Sequence, residues 1–295
     1  MNTLRNNLNV HFIGIGGVSM SALAKYLFSL GFSVSGSDIS KSRYTDELIK
    51  SGIKVYIGHS ADNLKDVQVV IYNDAINDKN EELLYAKQNG LYLLKRAELL
   101  KMVSENFKRV IGVCGCHGKT TATSMLANLL FFAKEKFTSH IGGDDKRLKN
   151  MYSSGGDIFL TEVCEFKKNI NLFTADIAVC LNIDKDHLDS YSSFEELKES
   201  YYTYLKRSDT AVIFDGDKEL KKYDGNNKIT FGSKKTSDYY YTDEKEKNGK
   251  YSFKVYKSGK YFLTVRLGVY GKHNILNALS ATATADNAFN ILCFP

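Results

Sequence analysis

Seven consecutive residues, Gly115-Cys116-His117-Gly118-Lys119-Thr120-Thr121, have the types and spacing to hold a polyphosphate. An apolar run, Val110-Ile111-Gly112-Val113-Cys114, precedes them, and a helix-forming run over 122–133 follows. Glycines let backbone N–H groups curl around an anion, and a following helix presents its positive end to it. Lys119 can reach the terminal phosphates, and the Thr120 hydroxyl can hold Mg²⁺. The spacing is G-x-x-G-K-T-T, shorter than G-x-x-x-x-G-K-[ST], because Val113 stands where the first glycine of that pattern belongs. The chemistry predicted is binding of a nucleoside triphosphate.

Further polar residues fall at the ends of apolar runs. Glu162 ends the run through Ile158-Phe159-Leu160, and His187 follows Ala178-Val179-Cys180-Leu181. Ligands of open α/β sheets collect beyond the carboxyl ends of strands. Beside a phosphate loop, Glu162 and His187 together point to a metal ion. Taken singly, Glu162 also reads as a solvated strand-end acid and His187 as a helix-capping or core histidine. His273 and Asn277 are four apart, hence on one face if the helix predicted over 275–288 starts early, where they can hydrogen-bond a purine edge. Near the N-terminus, Gly14-Ile15-Gly16-Gly17-Val18-Ser19-Met20 follows the strand Val10-His11-Phe12-Ile13, with Asp38 at the end of the next strand. This only partly fits the dinucleotide fingerprint, since Ser19 replaces its third glycine, and the reading is a helix N-terminus meeting a diphosphate.

The elements that carry these residues alternate. Residues 1–104 repeat strand then helix, with strands at 54–57, 67–72 and 91–94 and helices at 21–30, 80–89 and 96–106, which predicts a parallel sheet covered on both faces. A second domain, 105–295, opens with the phosphate loop, has strands at 157–160 and 176–183, and turns to hairpins after residue 210. Within it Tyr251–Tyr256 and Tyr261–Arg266 alternate around a turn at 257–260, and Tyr239-Tyr240-Tyr241 reads as a strand. The fold class is α/β: an N-terminal Rossmann-like parallel-sheet domain, then a P-loop-type central domain with added β-hairpins.

Composition excludes several alternatives. The 295 residues suffice for two domains. Forty Lys and Arg against 34 Asp and Glu leave +6, with the charges interspersed and no basic stripe interleaved with aromatics, so no nucleic-acid partner is predicted. No apolar run reaches the length of a membrane span, which predicts no membrane partner. Five cysteines, Cys114, Cys116, Cys164, Cys180 and Cys293, are odd in number and include no C-x-x-C pair. With no hydrophobic signal region, that predicts a cytoplasmic protein. Oligomeric state stays open.

Four segments in order resemble the Mur ligase family, ATP-dependent amide-forming enzymes of bacterial cell-wall synthesis. GIGGVSMSALA, from Gly14, looks like the UDP-binding turn of the alanine-adding branch; the loop 115–121 resembles the ATP loop, with Cys116 where threonine is usual. N-I-D-K-D-H-L-D, from Asn182, is similar to N-I-x-x-D-H-L-D, and G-K-H-N-I-L-N-A, from Gly271, to G-x-H-N-x-x-N-A. The resemblance implies ATP, Mg²⁺, UDP-N-acetylmuramate and L-alanine as cofactors and substrates. It implies that Lys119 contacts the β- and γ-phosphates, Thr120 and Glu162 ligate Mg²⁺, His187 serves a second metal position, and His273 and Asn277 hold adenine. The loop 14–20 would hold the UDP diphosphate, with Asp38 near the uridine. Glu162-Val163-Cys164-Glu165 departs from the usual E-A-D-E-S-D, leaving fewer acids near the metals.

The resemblance covers two of three family domains, so the expectation is a chain lacking the domain that delivers the amino acid and forming no amide by itself. The competing reading is a fragment that binds UDP-sugar and ATP without ligation. A nicotinamide-dependent dehydrogenase rests on the first glycine loop alone.

Overall fold

The computed structural model describes residues 8–185 and 188–289. These divide by contact into two compact units, 8–107 with 142–152, and 108–141 with 153–289. The sequence places a boundary at 104; the units part after Phe107, and no sequence signal marks the transfer of 142–152 to the first unit.

The first unit alternates strand and helix: β1 (Asn9–Ile13), α1 (Val18–Ser29), β2 (Ser33–Asp38), α2 (Arg43–Lys50), β3 (Lys54–Ile57), β4 (Val69–Tyr72), α3 (Glu81–Gln88), β5 (Tyr92–Lys95) and α4 (Arg96–Ser104). Its five strands are parallel in the order β3-β2-β1-β4-β5. Helices cover both faces of such a sheet, which is why Val10, Phe12, Ile13, Val70 and Ile71 are all fully buried. Helix α1 starts at Val18, three residues before the predicted Ser21, because Gly17 caps it in an extended conformation without a side-chain hydrogen bond. A glycine cap leaves no Ser, Thr, Asp or Asn signature to read.

From residue 108 the chain forms β6 (Arg109–Cys114), α5 (Lys119–Phe132), β7 (Phe137–Asp145), β8 (Lys149–Ser153), β9 (Ile158–Glu162), β10 (Ile177–Cys180), α6 (Phe194–Lys206), β11 (Thr210–Phe214), β12 (Lys228–Gly232), β13 (Tyr239–Lys247), β14 (Lys250–Lys257), β15 (Lys260–Tyr270) and α7 (Asn274–Phe289), the parts of β7 and β8 within 142–152 belonging to the first unit and the rest to the second. The sheet order is β15-β14-β13-β12-β11-β10-β6-β9-β7-β8. Strand β6 lies between β10 and β9, parallel to both, so the chain reverses direction of travel across the sheet at its carboxyl end. Helix α6 packs over β10 and β11. Gly112 in β6 makes room for it: a Cβ there would lie 2.0 Å from the Tyr204 hydroxyl. The predicted hairpin is present, with Lys257 paired to Lys260 and its turn residues Ser258 and Gly259 at φ of 47° and 80°.

Candidate active site

In the first unit the loop 14–17 leaves the carboxyl end of β1 at the point where strand order reverses between β1 and β4. Gly14 takes φ +79°, which favours glycine, and the amides of Gly14 and Ile15 both donate to the Ser37 carbonyl at 2.8 and 2.9 Å. Gly16 donates its amide to Asp38 Oδ2 at 2.8 Å, and a Cβ at residue 16 would collide with that oxygen. Asp38 therefore braces the loop through one carboxylate oxygen. Ile15 and Met20 turn their side chains into the core, so only their backbone can serve a ligand. Val18 and Ser19 open α1, where unsatisfied amides and the helix dipole favour an anion.

Two residues that sequence reasoning gave no role join this loop. Arg96 Nη1 reaches Ser19 Oγ at 3.3 Å and brings to the loop a guanidinium, a group suited to bidentate anion contacts. Asn150, from the segment that joins this unit, donates to Val18 O at 2.7 Å and Ser21 Oγ at 2.9 Å. Behind the loop, fully buried Glu82 accepts hydrogen bonds from Ser37 Oγ at 2.5 Å and Asn63 Nδ2 at 2.7 Å, with His59 at 3.1 Å and His11 at 3.6 Å. Burial would raise its pKa, but the neighbouring His11 imidazole and the hydrogen bonds from Ser37 and Asn63 outweigh burial and hold the carboxyl at about 2.

In the second unit the loop 115–118 connects β6 to α5. Gly115 and Gly118 take φ of +133° and +85°, and a Cβ on Gly118 would stand 2.6 Å from Asn277 Oδ1. Lys119 folds back over the loop, its ammonium 2.5 Å from Gly115 O and 3.2 Å from each Glu165 carboxylate oxygen. Burial acts to lower the Lys119 pKa, but the Glu165 carboxylate more than compensates and leaves it raised, so the ammonium is charged. Thr120 Oγ1 donates to Glu162 Oε2 at 3.0 Å. Thr121 follows in the first turn of α5.

The loop after β10 is clamped to the phosphate loop. His117 N donates to Asn182 Oδ1 at 2.8 Å, and Asn182 Nδ2 donates to His117 O at 3.0 Å. The Cys116 thiol donates to Asp184 O at 3.3 Å and accepts from Asp184 N at 3.1 Å. Burial pushes this thiol's pKa up, which keeps it protonated for that double role. These ties explain why β10 ends at Cys180, short of the 183 expected: Asn182 and Asp184 pair with the loop instead, and Ile183 N donates to Asp217 Oδ2 at 3.2 Å. Cys114, Cys116 and Cys180 are buried free thiols.

His117, Gly118, Leu181, Asn182, Phe214, Phe231, His273, Leu276 and Asn277 line a cavity of about 210 Å³ beside the loop. Phe214 and Phe231 stack at 5.7 Å along its wall, and Asn277 is fixed by Asn274 Oδ1 at 2.9 Å. An apolar slot with two amides at its edge has the chemistry to take a purine ring. Thus Lys119, Thr120, Glu162, His273 and Asn277 gather around one phosphate loop. His187, the remaining predicted ligand, lies outside the described residues, as does Cys293. Glu165, Asn182, Phe214 and Phe231 were missed; only the N-I-x-x-D-H-L-D segment carried any signal, for Asn182.

The Thr120–Glu162 pair is an all-oxygen donor set at the mouth of a phosphate cradle. That fits Mg²⁺, which is held by one or two carboxylates together with substrate phosphates. No larger cluster of His, Cys, Asp or Glu suited to a metal occurs among the described residues.

Comparison with known proteins follows the same lines. Residues 9–108 match the model of the Mur ligase family, catalytic domain, and residues 113–285 that of the Mur ligase middle domain. A UDP-N-acetylmuramate–L-alanine ligase of Clostridium acetobutylicum is 38% identical over 291 residues, 96% of this chain and 64% of that protein. One from Clostridium perfringens is 38% identical over 97% of this chain and 64% of its own length. The chain thus spans less than two thirds of the curated relatives it matches. The crystal structure of UDP-N-acetylmuramate-alanine ligase from Thermotoga maritima superposes with a TM-score of 0.88 at 30% identity, over 97% of this chain and 67% of that one. With both family models matched in order, on the two units that carry the two loops, the chain belongs to the Mur ligase family.

Proposed function

We propose that these two units bind UDP-N-acetylmuramate and Mg·ATP for an ATP-dependent amide ligation to L-alanine, in peptidoglycan precursor synthesis. The observation that carries the reading is the second-unit loop, where the Lys119 ammonium, the Thr120–Glu162 oxygen pair and a purine-sized slot surround one helix N-terminus. The names of the relatives supply the substrates.

In the proposed reaction the lactyl carboxylate attacks the γ-phosphorus of ATP, giving an acyl phosphate and ADP. The L-alanine amine then attacks the acyl carbon, and inorganic phosphate leaves. Lys119 stabilises charge that builds on the transferring phosphoryl group, an electrostatic contribution that a buried, pre-oriented ammonium makes without reorganisation. Thr120 and Glu162 would hold Mg²⁺, which neutralises phosphate charge when bound. Asn277 and His273 position the base, and the loop 14–17 with Arg96 positions the UDP diphosphate.

The first loop separates this reading from a nicotinamide enzyme. UDP-N-acetylmuramate at 100 times its dissociation constant should stabilise the fold by about 2.7 kcal/mol, whereas NAD should not. Thermal melting with each ligand checks this; stabilisation by NAD alone would reverse the assignment of the first unit.

A further inference from the structure

An ammonium has three N–H donors. Those of Lys119 meet Gly115 O at 2.5 Å, Cys116 O at 3.4 Å and the Glu165 carboxylate, whose two oxygens both lie at 3.2 Å. All three are thus directed at the protein. A phosphate can gain Lys119 only by taking over one of these positions, and the two carbonyls belong to the cradle itself. The Glu165 contact is the one in which an anion already stands where a phosphate would compete.

Glu165 is built into place. It is fully buried, follows β9 by three residues, and its carbonyl receives the Tyr191 hydroxyl at 2.6 Å and the Lys168 amide at 2.9 Å. Lys167 and Lys168, just beyond, take left-handed φ of 50° and 60°. Side chains rarely adopt that backbone, and it persists where the surroundings over-determine it. The Lys119 side chain is itself only 15% exposed, so its pair with Glu165 is weakly screened by water.

We propose that Glu165 is a positioning residue that competes with nucleotide phosphate for Lys119. It holds the ammonium aimed over the loop, and it sets nucleotide affinity by yielding part of that ion pair when phosphate enters. The proposal rests on the nucleotide-binding reading above.

The test is calorimetric titration of Mg·ATP into the wild-type chain, Glu165→Gln and Glu165→Asp, with melting temperatures of each. Competition predicts that Glu165→Gln binds Mg·ATP about three- to tenfold more tightly, a part of the roughly ten- to hundredfold worth of one charge-assisted contact, because only part of the ion pair is yielded. Glu165→Asp, which keeps the charge but shortens its reach, should fall between. A merely structural role predicts the opposite sign, weaker binding in both variants. In a Lys119→Gln background the same Glu165→Gln change should bring no gain; a gain there would show that Glu165 acts without Lys119 and overturn the proposal. Unchanged or weaker binding by Glu165→Gln also overturns it, and if that variant does not fold, unchanged or weaker binding by Glu165→Asp does so. Failure of the wild-type chain to bind Mg·ATP would instead remove the nucleotide-binding reading on which the proposal stands.

Discussion

Glu82 shows how a single buried carboxylate links pH to the architecture of a binding loop. It is held at about 2, below its ordinary 4.5, by donors that include Ser37, and the Ser37 carbonyl in turn fixes the amides of Gly14 and Ile15. A depressed carboxyl contributes stability that is fully present above the unfolded value and is lost as pH falls through the folded one. That contribution, about 3 kcal/mol, should fade between pH 4.5 and 2. Melting curves of the wild type and Glu82→Gln across that range should converge at the acid end; parallel curves would contradict the role given to Glu82. Residues whose chemistry is local were legible from the sequence. Lys119, Thr120 and the loop glycines announce themselves within seven positions. Glu82 and Glu165 did not, because their partners His11 and Lys119 lie far off along the chain and are brought near only by the parallel sheets.

At the scale of elements, the start of α5 joins backbone geometry to the site. Gly118 is its N-cap at φ +85°, with Asn277 Oδ1 packed where a side chain would project. Gly118→Ala should therefore cost about 1–3 kcal/mol, from strain in a left-handed conformation. It should also weaken Mg·ATP binding by displacing Asn277. Melting temperature and calorimetric affinity should fall together; a loss of stability with affinity intact would separate Asn277 from the nucleotide. The strand–loop–helix rhythm was readable because buried parallel strands are unbroken apolar runs. The starts of α1 and α5 were placed three residues late, since a glycine cap has no side chain to signal it. Helix α6 was passed over although Ser193 and Glu196 carry the signature of a helix start, the Ser193 hydroxyl accepting the Glu196 amide at 3.2 Å. Its buried apolar face combines Leu197 and Leu205 with two tyrosines, Tyr201 and Tyr204, and the tyrosines blur a periodicity sought in aliphatic residues.

Across the whole molecule, each compact unit carries its own loop at a point where strand order reverses. Ligand protection should accordingly partition. In amide hydrogen exchange, UDP-N-acetylmuramate should slow β1, the loop 14–17 and β2, while Mg·ATP should slow β6, the loop 115–118 and α5. Protection of the wrong unit by either ligand would contradict the assignment of the two loops. Fold class was legible at this scale. The exchange of 142–152 into the first unit was not, because contact between distant segments leaves no local pattern. The most direct measurement of the central claim is calorimetry of Mg·ATP on the wild type and Lys119→Ala. The account predicts binding by the wild type and a loss of about ten- to hundredfold in the variant, the worth of one charge-assisted phosphate contact. Equal affinity in the two chains would contradict it.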